Sequence, residues 1–447
     1  MSDLLSIGAS GVRAYQTALS TVGENIANSG VTGYSRRSVA LTEIAGVSGT
    51  VAIKADAGSG VAVGSIARST DTYATAALRS ASADLARTTT ASTWLTQIQS
   101  ALTGNNLTSR ITAFYSSASS LSADPSSTSL RANMLGTATS TAAAFTATGN
   151  AFDQIQTDLD TSGGEAAQTL TSLGASLVRI NDGLGRTQPG TSAAAQLADQ
   201  RDSVLGQMSA LASVDAKADS LGRVTVKLGG ANGTPFVSNT QSGAVGYARA
   251  ADGSVGFTVS YAGANTPLAT EGGAMAGIVD GAQKIAAART ALNTIASGFT
   301  TSVNTVQAQG DDLNGTAGQP IFATGADATD ITVAMTDGRG IAAATRGAGV
   351  RNAGNLDALQ GARMTGGFES NTTDLITNTA TAITQKATIS DAQTAIRDGA
   401  ATALANSTGT SLDSEAVDLM RFQQAYSASS RVIQVARDTF STILEIK

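Results

Sequence analysis

From Ser411 to Lys447 the chain repeats a mostly apolar position at alternating intervals of three and four: Leu419, Phe422, Tyr426, Ser429, Ile433, Ala436, Phe440 and Ile443. This is the seven-residue period of an α-helix whose narrow seam faces another helix. Ser411, Asp413 and Glu415 stand where a first helical turn favours acceptors and negative charge, and Lys447 stands at the opposite end of the helix dipole. At about 1.5 Å per residue the helix would run roughly 50 Å, more than a compact domain requires, so the seam calls for a partner. The opening of the chain offers one, because Leu5, Gly8, Val12, Tyr15, Leu19, Val22 and Ile26 keep the same alternation. Core helices of an ordinary bundle show the same period, so periodicity alone leaves both pairings open.

Between these ends the pattern is mostly helical. Alternating Val39 and Leu41, Val51 and Ile53, and Val61 and Val63, separated by glycines, predict an extended arm over 38–66. Helical stripes follow from Asp71, over 107–121, from Leu130 to Leu159 with an expected stop at Gly163-Gly164, from Leu170 to Leu184, and from Leu197 to Leu211. Around Val214 the period becomes two, as in Val224–Leu228 and Val255–Tyr261, with Gly229-Gly230 and Asp252-Gly253 as turns. Helical spacing resumes over 278–306 and again from Phe368 to Ala405, while 316–366 reads as irregular and glycine-rich. The expected fold is mainly α with a β-rich insert: paired N- and C-terminal coiled-coil helices, a long-helix bundle and a small β-domain. The expected division is a terminal coiled-coil domain of 1–35 and 411–447, a helical bundle of 36–213 and 271–410, and a β-rich insert of 214–270. Charged residues make up only 14% and aromatics 4% of the 447 residues, which suits helices packed through small side chains. Trp94, the single tryptophan, is expected as a packing anchor in the core.

Composition also removes functions. Without histidine or cysteine, triads built on imidazole, paired-histidine zinc sites, disulfides and thiol chemistry are excluded. No phosphate-cradling Gly-Lys-Ser or Gly-Lys-Thr loop occurs, and Asp311-Asp312 precedes a turn without the ligand spacing of a calcium loop. No catalytic residue, metal ligand or cofactor is expected, and the chain is read as a protein without enzymatic activity. A net charge of −6 argues against a nucleic-acid partner, and no apolar run is long enough to span a membrane.

Two short runs identify a family. Asn25-Ile26-Ala27-Asn28 followed by Gly33-Tyr34 resembles the signature that closes the first helix in the axial proteins of the bacterial flagellum. Glu24 and Thr32 stand where that family usually has Asn and Pro, substitutions that leave a helix former and a glycine-permitted turn. Arg421-Phe422-Gln423-Gln424-Ala425-Tyr426 is similar to the terminal helix of the hook-associated members that join hook to filament, and Leu197–Asp202 is similar to a segment preceding their β-rich domain. The resemblance implies a structural subunit that forms a ring-like homo-oligomer through its two terminal helices. It implies the hook protein and a second hook-associated junction protein as partners, and an export chaperone on the C-terminal helix. Residues 1–6 lack the basic start and apolar core of a cleaved signal; the resemblance implies instead export through the flagellar type III channel to an extracellular position. The assembly interface would then comprise Leu5, Val12, Tyr15, Leu19, Val22, Ile26, Leu419, Phe422, Tyr426, Ile433, Ala436, Phe440 and Ile443. Other readings are a hook or rod protein, a surface adhesin on a helical stalk, and a glycan-acting enzyme using the few ionisable groups of 214–270.

Overall fold

The computed structural model describes residues 2–44, 59–323 and 325–445. Val51 and Ile53, expected in the extended arm, lie outside them. The chain opens with helix α1 (Ser2–Ala27) and a hairpin of β1 (Arg37–Glu43) and β2 (Val61–Arg68). The body contains helices α2 (Thr72–Gly104), α3 (Leu107–Ala123), α4 (Thr128–Arg186) and α5 (Ser192–Leu211). Six strands follow, then α6 (Gly273–Gln309), α7 (Gly354–Gly366), α8 (Phe368–Thr408) and the terminal α9 (Leu412–Glu445). Side-chain caps begin three of the helices: Asp71, Ser127 and Thr191 each accept a hydrogen bond from the main-chain N–H three residues on.

The longest helix corrects two expectations. α4 continues for 59 residues through Gly163-Gly164, where a stop was expected, and reaches Arg186, joining the two stripes that end at Leu159 and Leu184 into one helix. Gly163 serves a contact instead of an ending: a Cβ there would lie 2.6 Å from Tyr247 Cδ2, so the missing side chain makes room for that ring. The region 316–366 holds α7, where irregular chain was expected. α7 is glycine-rich, and only Leu356 and Leu359 bury large apolar side chains, too few to reveal a helical period.

Strands β3 (Val214–Ala218), β4 (Val224–Leu228) and β5 (Thr234–Val237) form one antiparallel sheet; β6 (Ala244–Arg249), β7 (Val255–Tyr261) and β8 (Ala264–Pro267) form another. Alternation decides their faces, with Val224, Val226 and Leu228 on β4 and Val255, Phe257 and Val259 on β7 turned inward. Both sheets lie along the second half of α4. Buried Asn181 donates to the Val224 carbonyl and accepts from the Val224 N–H, while Phe236 packs where Gly174 leaves α4 bare. Asp160 accepts from the Tyr247 hydroxyl at 2.5 Å and from Arg249 Nε at 2.9 Å. Burial alone would raise the Asp160 pKa, but these two donors outweigh it and hold the carboxyl below its usual range.

The apolar faces of the strands join the helices in one core. Its centre departs from an expectation of small side chains: Phe299 of α6 meets Phe114, Tyr115, Phe145, Phe322 and Phe368 at centroid distances of 5.3 to 6.0 Å. Small residues dominate elsewhere. Trp94 is buried as expected, and it packs where Gly281 lets α6 approach α2. Buried Arg131 has its guanidinium among main-chain oxygens, donating to Pro125 at 2.8 Å and to Ile341 at 2.5 Å.

Candidate functional site

The two terminal helices pack against each other antiparallel, with Gly8 of α1 beside Ile433 of α9 and Asn25 beside Glu415. A Cβ on Gly8 would stand 2.6 Å from Ile433 Cγ1, and one on Gly11 2.6 Å from Ser429 Oγ; the helices approach because those side chains are missing. Farther along, the Tyr15 and Phe422 rings sit 6.4 Å apart, and Ala18, Val22 and Phe422 form a buried cluster with Tyr15, Leu19, Ile26, Val39 and Leu419 against it. Tyr426, Ile433 and Val12 are half-buried and Ala436 is buried, so this part of the expected seam comes together. Burying Val22 and Phe422 contributes about 1.5–3 kcal/mol each, which is small against the cost of ordering two helices.

Leu5, Phe440 and Ile443 are exposed at 45%, 57% and 50%, so the pair within this chain does not bury them. The register accounts for the two on α9: with Gly8 at Ile433 and Gly11 at Ser429, positions past Ala436 run toward the beginning of α1. Phe440, a seam position by its period, is thus left exposed in the single chain. On α1, Ala14 and Ala18 are buried where Leu5 was expected. Their signal, Gly8, Gly11, Ala14 and Ala18 on one helical stripe, lies in small residues that a hydrophobic count passes over.

At the far end of the pair the signature becomes a polar anchor. Asn25 is wholly buried and uses its full capacity: Nδ2 donates to the Arg37 carbonyl at 2.7 Å and to Glu415 Oε2 at 2.9 Å, while Oδ1 accepts from the Tyr34 hydroxyl at 2.8 Å and from the Arg37 N–H at 3.0 Å. Glu415, read from sequence as a helix-end charge, is completely buried and takes Arg36 Nε on Oε1 at 2.6 Å. Arg36 also reaches Asp418, which pairs in turn with Arg421. The Arg36 main chain donates to the Thr408 carbonyl and accepts from Ser69, tying together the ends of α8, β2 and the first turn. Burial pushes the Tyr34 phenol above its usual pKa, which keeps it a donor to Asn25. Among the other signature residues, Asn28 closes α1 by donating to the Glu24 carbonyl, Gly33 takes φ +84°, and Ile26 is half-buried in the seam. Ala27, Gln423 and Gln424 are exposed, and Arg421 stacks over the Phe422 ring at 4.6 Å.

The acidic and basic groups of the strand region do not converge. Asp219 pairs with Arg223, Arg249 with Asp160, and Asp252 caps its own turn through Ser254. Asp312 likewise accepts from the N–H groups of Asn314 and Thr316, as a turn residue does. Among the described residues no group of three acidic side chains is placed to hold a metal ion, and no helix is long and apolar enough to cross a membrane.

Residues 95–322, just over half of the chain, match the family model described as the flagellar hook-associated protein FlgK helical domain. Residues 404–446 match that of the flagellar basal body rod FlgEFG protein C-terminal. Among curated proteins the chain is similar to flagellar hook-associated protein 1 of Salmonella typhimurium, with 24% identity over 336 residues that cover 73% of this chain and 60% of the relative. The protein of the same name from Escherichia coli is similar at 24% identity and the same coverage. The chain thus spans 60% of the length of these relatives. In fold it is similar to the flagellar hook junction protein FlgK from Burkholderia pseudomallei, with a TM-score of 0.50 and 21% identity over 56% of this chain and 46% of that one.

Proposed function

Because the chain belongs to the family of the flagellar hook-associated protein FlgK helical domain, we propose that it is a structural subunit standing at the junction between hook and filament, where it polymerises through its terminal helix pair. The observation that carries this reading is the apolar surface the pair leaves uncovered. Leu4, Leu5, Phe440 and Ile443 are exposed at its open end, and Val417, Met420 and Val435 are exposed along α9. Val417 and Val435 are five helical turns apart and so share a face, with Met420 beside it. Large apolar side chains grouped on the outside of a helix pair mark a surface that other chains cover.

On this reading 1–35 with 411–447 is the assembling domain, 36–213 with 271–410 the bundle that carries it, and 214–270 a peripheral insert. The ring of copies meets the hook protein on one side and a second hook-associated junction protein on the other. An export chaperone covers the C-terminal helix until the subunit has passed through the type III channel to the extracellular side. The same terminal signature would serve a hook or rod protein; the names carried by the curated relatives favour the junction.

Phe440→Asp tests the proposal. At 57% exposure a carboxylate there is solvated in the free subunit, whereas in an assembled interface it would be buried without a partner, at a cost of several kcal/mol in every copy. The expected variant is exported and soluble, with the far-UV circular dichroism of the parent, yet fails to complete the hook and leaves filament protein in the medium. Normal filaments grown on Phe440→Asp would refute assembly through this surface.

A further inference from the structure

The terminal pair meets the body through a narrow connection. α1 packs on α9 and on both strands of the hairpin, and β2 in turn packs on α5. Val61 at the far end of the hairpin donates to Ser10 Oγ of α1. At its base, Arg37 of β1 and Arg68 of β2 are direct cross-strand partners. Two like charges at one rung repel, and these two guanidiniums are only 6% and 12% exposed, so water does little to screen them.

One carboxylate is shared between them. Asp199 of α5 takes Arg68 Nε on Oδ1 at 2.6 Å and Arg37 Nη2 on Oδ2 at 3.1 Å, one oxygen for each arginine. Asp202, three residues on and therefore on the same helical face, takes Arg68 Nη2 at 2.7 Å and Arg201 Nη2 at 2.8 Å. Arg201 Nη1 donates onward to the Gly222 carbonyl at the β3–β4 turn, and Arg37 Nη1 reaches back to Glu24 of α1. An alternating chain of charges thus runs from α1 across the hairpin base to α5 and the first sheet. It absorbs the Leu197–Asp202 run, which the seam and its anchor leave unexplained.

We propose that Asp199 is the pin that fixes the terminal helix pair to the body, and that neutralising it turns the hairpin base into a hinge while pair and body each stay intact. Asparagine at this position fills the same volume but removes the charge that the two guanidiniums share, leaving each with a single carboxylate, Glu24 for Arg37 and Asp202 for Arg68. The use of a fixed angle in assembly rests on the reading above; the pin itself is a property of the free subunit and is tested there.

The chain contains no cysteine, so spin labels can be placed in pairs on the full-length protein. Ser427→Cys with Ala193→Cys reports α9 against the body, and Ser427→Cys with Ser20→Cys reports α9 against α1; all three sites are exposed. In double electron–electron resonance the parent should give one narrow distance distribution for each pair. Asp199→Asn should broaden and shift the α9-to-body distribution, leave the α9-to-α1 distribution narrow, and be reversed in part by Asp199→Glu. Arg68→Gln, which removes the other half of the pair, should broaden the same distance. A narrow parental α9-to-body distance in Asp199→Asn overturns the proposal. So does broadening of both distances, because Asp199 would then hold the helix pair together rather than aim it.

Discussion

Asn25→Ala isolates the anchor between signature and terminal helix. The substitution leaves four groups without their partner: the Arg37 N–H and carbonyl, the Tyr34 hydroxyl and one oxygen of Glu415. Tyr34 is only half-buried, so its hydroxyl can turn to water, and Glu415 keeps Arg36. The two main-chain groups of Arg37, a residue 6% exposed, have no such recourse. An unsatisfied buried polar group costs about 1–3 kcal/mol, and a water entering the vacated space would recover part of it, so the net loss comes to about 3 kcal/mol. The loss falls on the contact of α1 with β1 and α9, since none of these bonds reaches the body helices. At about 1.4 kcal/mol per tenfold, amide hydrogens of α1 and α9 should exchange roughly a hundredfold faster, with α4 and α6 unchanged. Hydrogen exchange followed by mass spectrometry on the full chain reads both regions at once. Parental protection of α1 and α9 in the variant would refute the account, and equal loss across α4 and α6 would show that Asn25 supports the whole fold instead of the anchor.

Two further outcomes follow from the body. Gly281→Val places a branched side chain where a Cβ alone would be 2.6 Å from Trp94 Cγ and 2.9 Å from Trp94 Cβ, so the α2–α6 contact must open; the expected loss is about 1–3 kcal/mol in urea unfolding, and an unchanged midpoint would contradict the packing described. Asp160 has its folded pKa held below the ordinary 3.8, so its contribution is complete above that value and disappears as pH falls through the lower folded one. The gap in urea midpoint between the parent and Asp160→Asn should therefore stay constant near neutrality and close only below pH 3.8; a gap that widens on acidification would reverse the assigned sign.

Much of this architecture can be read in the sequence because it is local. The strand alternation at 224–228 and 255–261, the helix start at Asp71, and the core position of Trp94 depend on neighbours a few residues away or on plain hydrophobicity. What escaped depends on distant partners. Gly163 looks like a helix end until Tyr247 fills the gap it leaves, and Glu415 looks like a dipole charge until Asn25, 390 residues earlier, meets it in a buried site. Asp199 was legible only as part of the Leu197–Asp202 run, because its partners Arg37 and Arg68 come from a hairpin far back in the chain.

The terminal seam divides along the same line, and the division bears on function. Its period runs unbroken from Leu419 to Ile443, yet within one chain burial stops at Ala436. A hydrophobic period reflects every surface that a helix contacts, whether the partner belongs to the same chain or to another copy. Leu419, Phe422 and Ala436 are covered along the pair, while Phe440 and Ile443 keep the period yet stand 57% and 50% exposed. Two large side chains held in register on an exposed helix end would add only an aggregation hazard to a solitary subunit. Their retention in phase with the buried seam is the pattern expected when neighbouring copies extend that seam, and it makes Phe440 a more discriminating test of assembly than Phe422, whose loss would disturb the single chain as well.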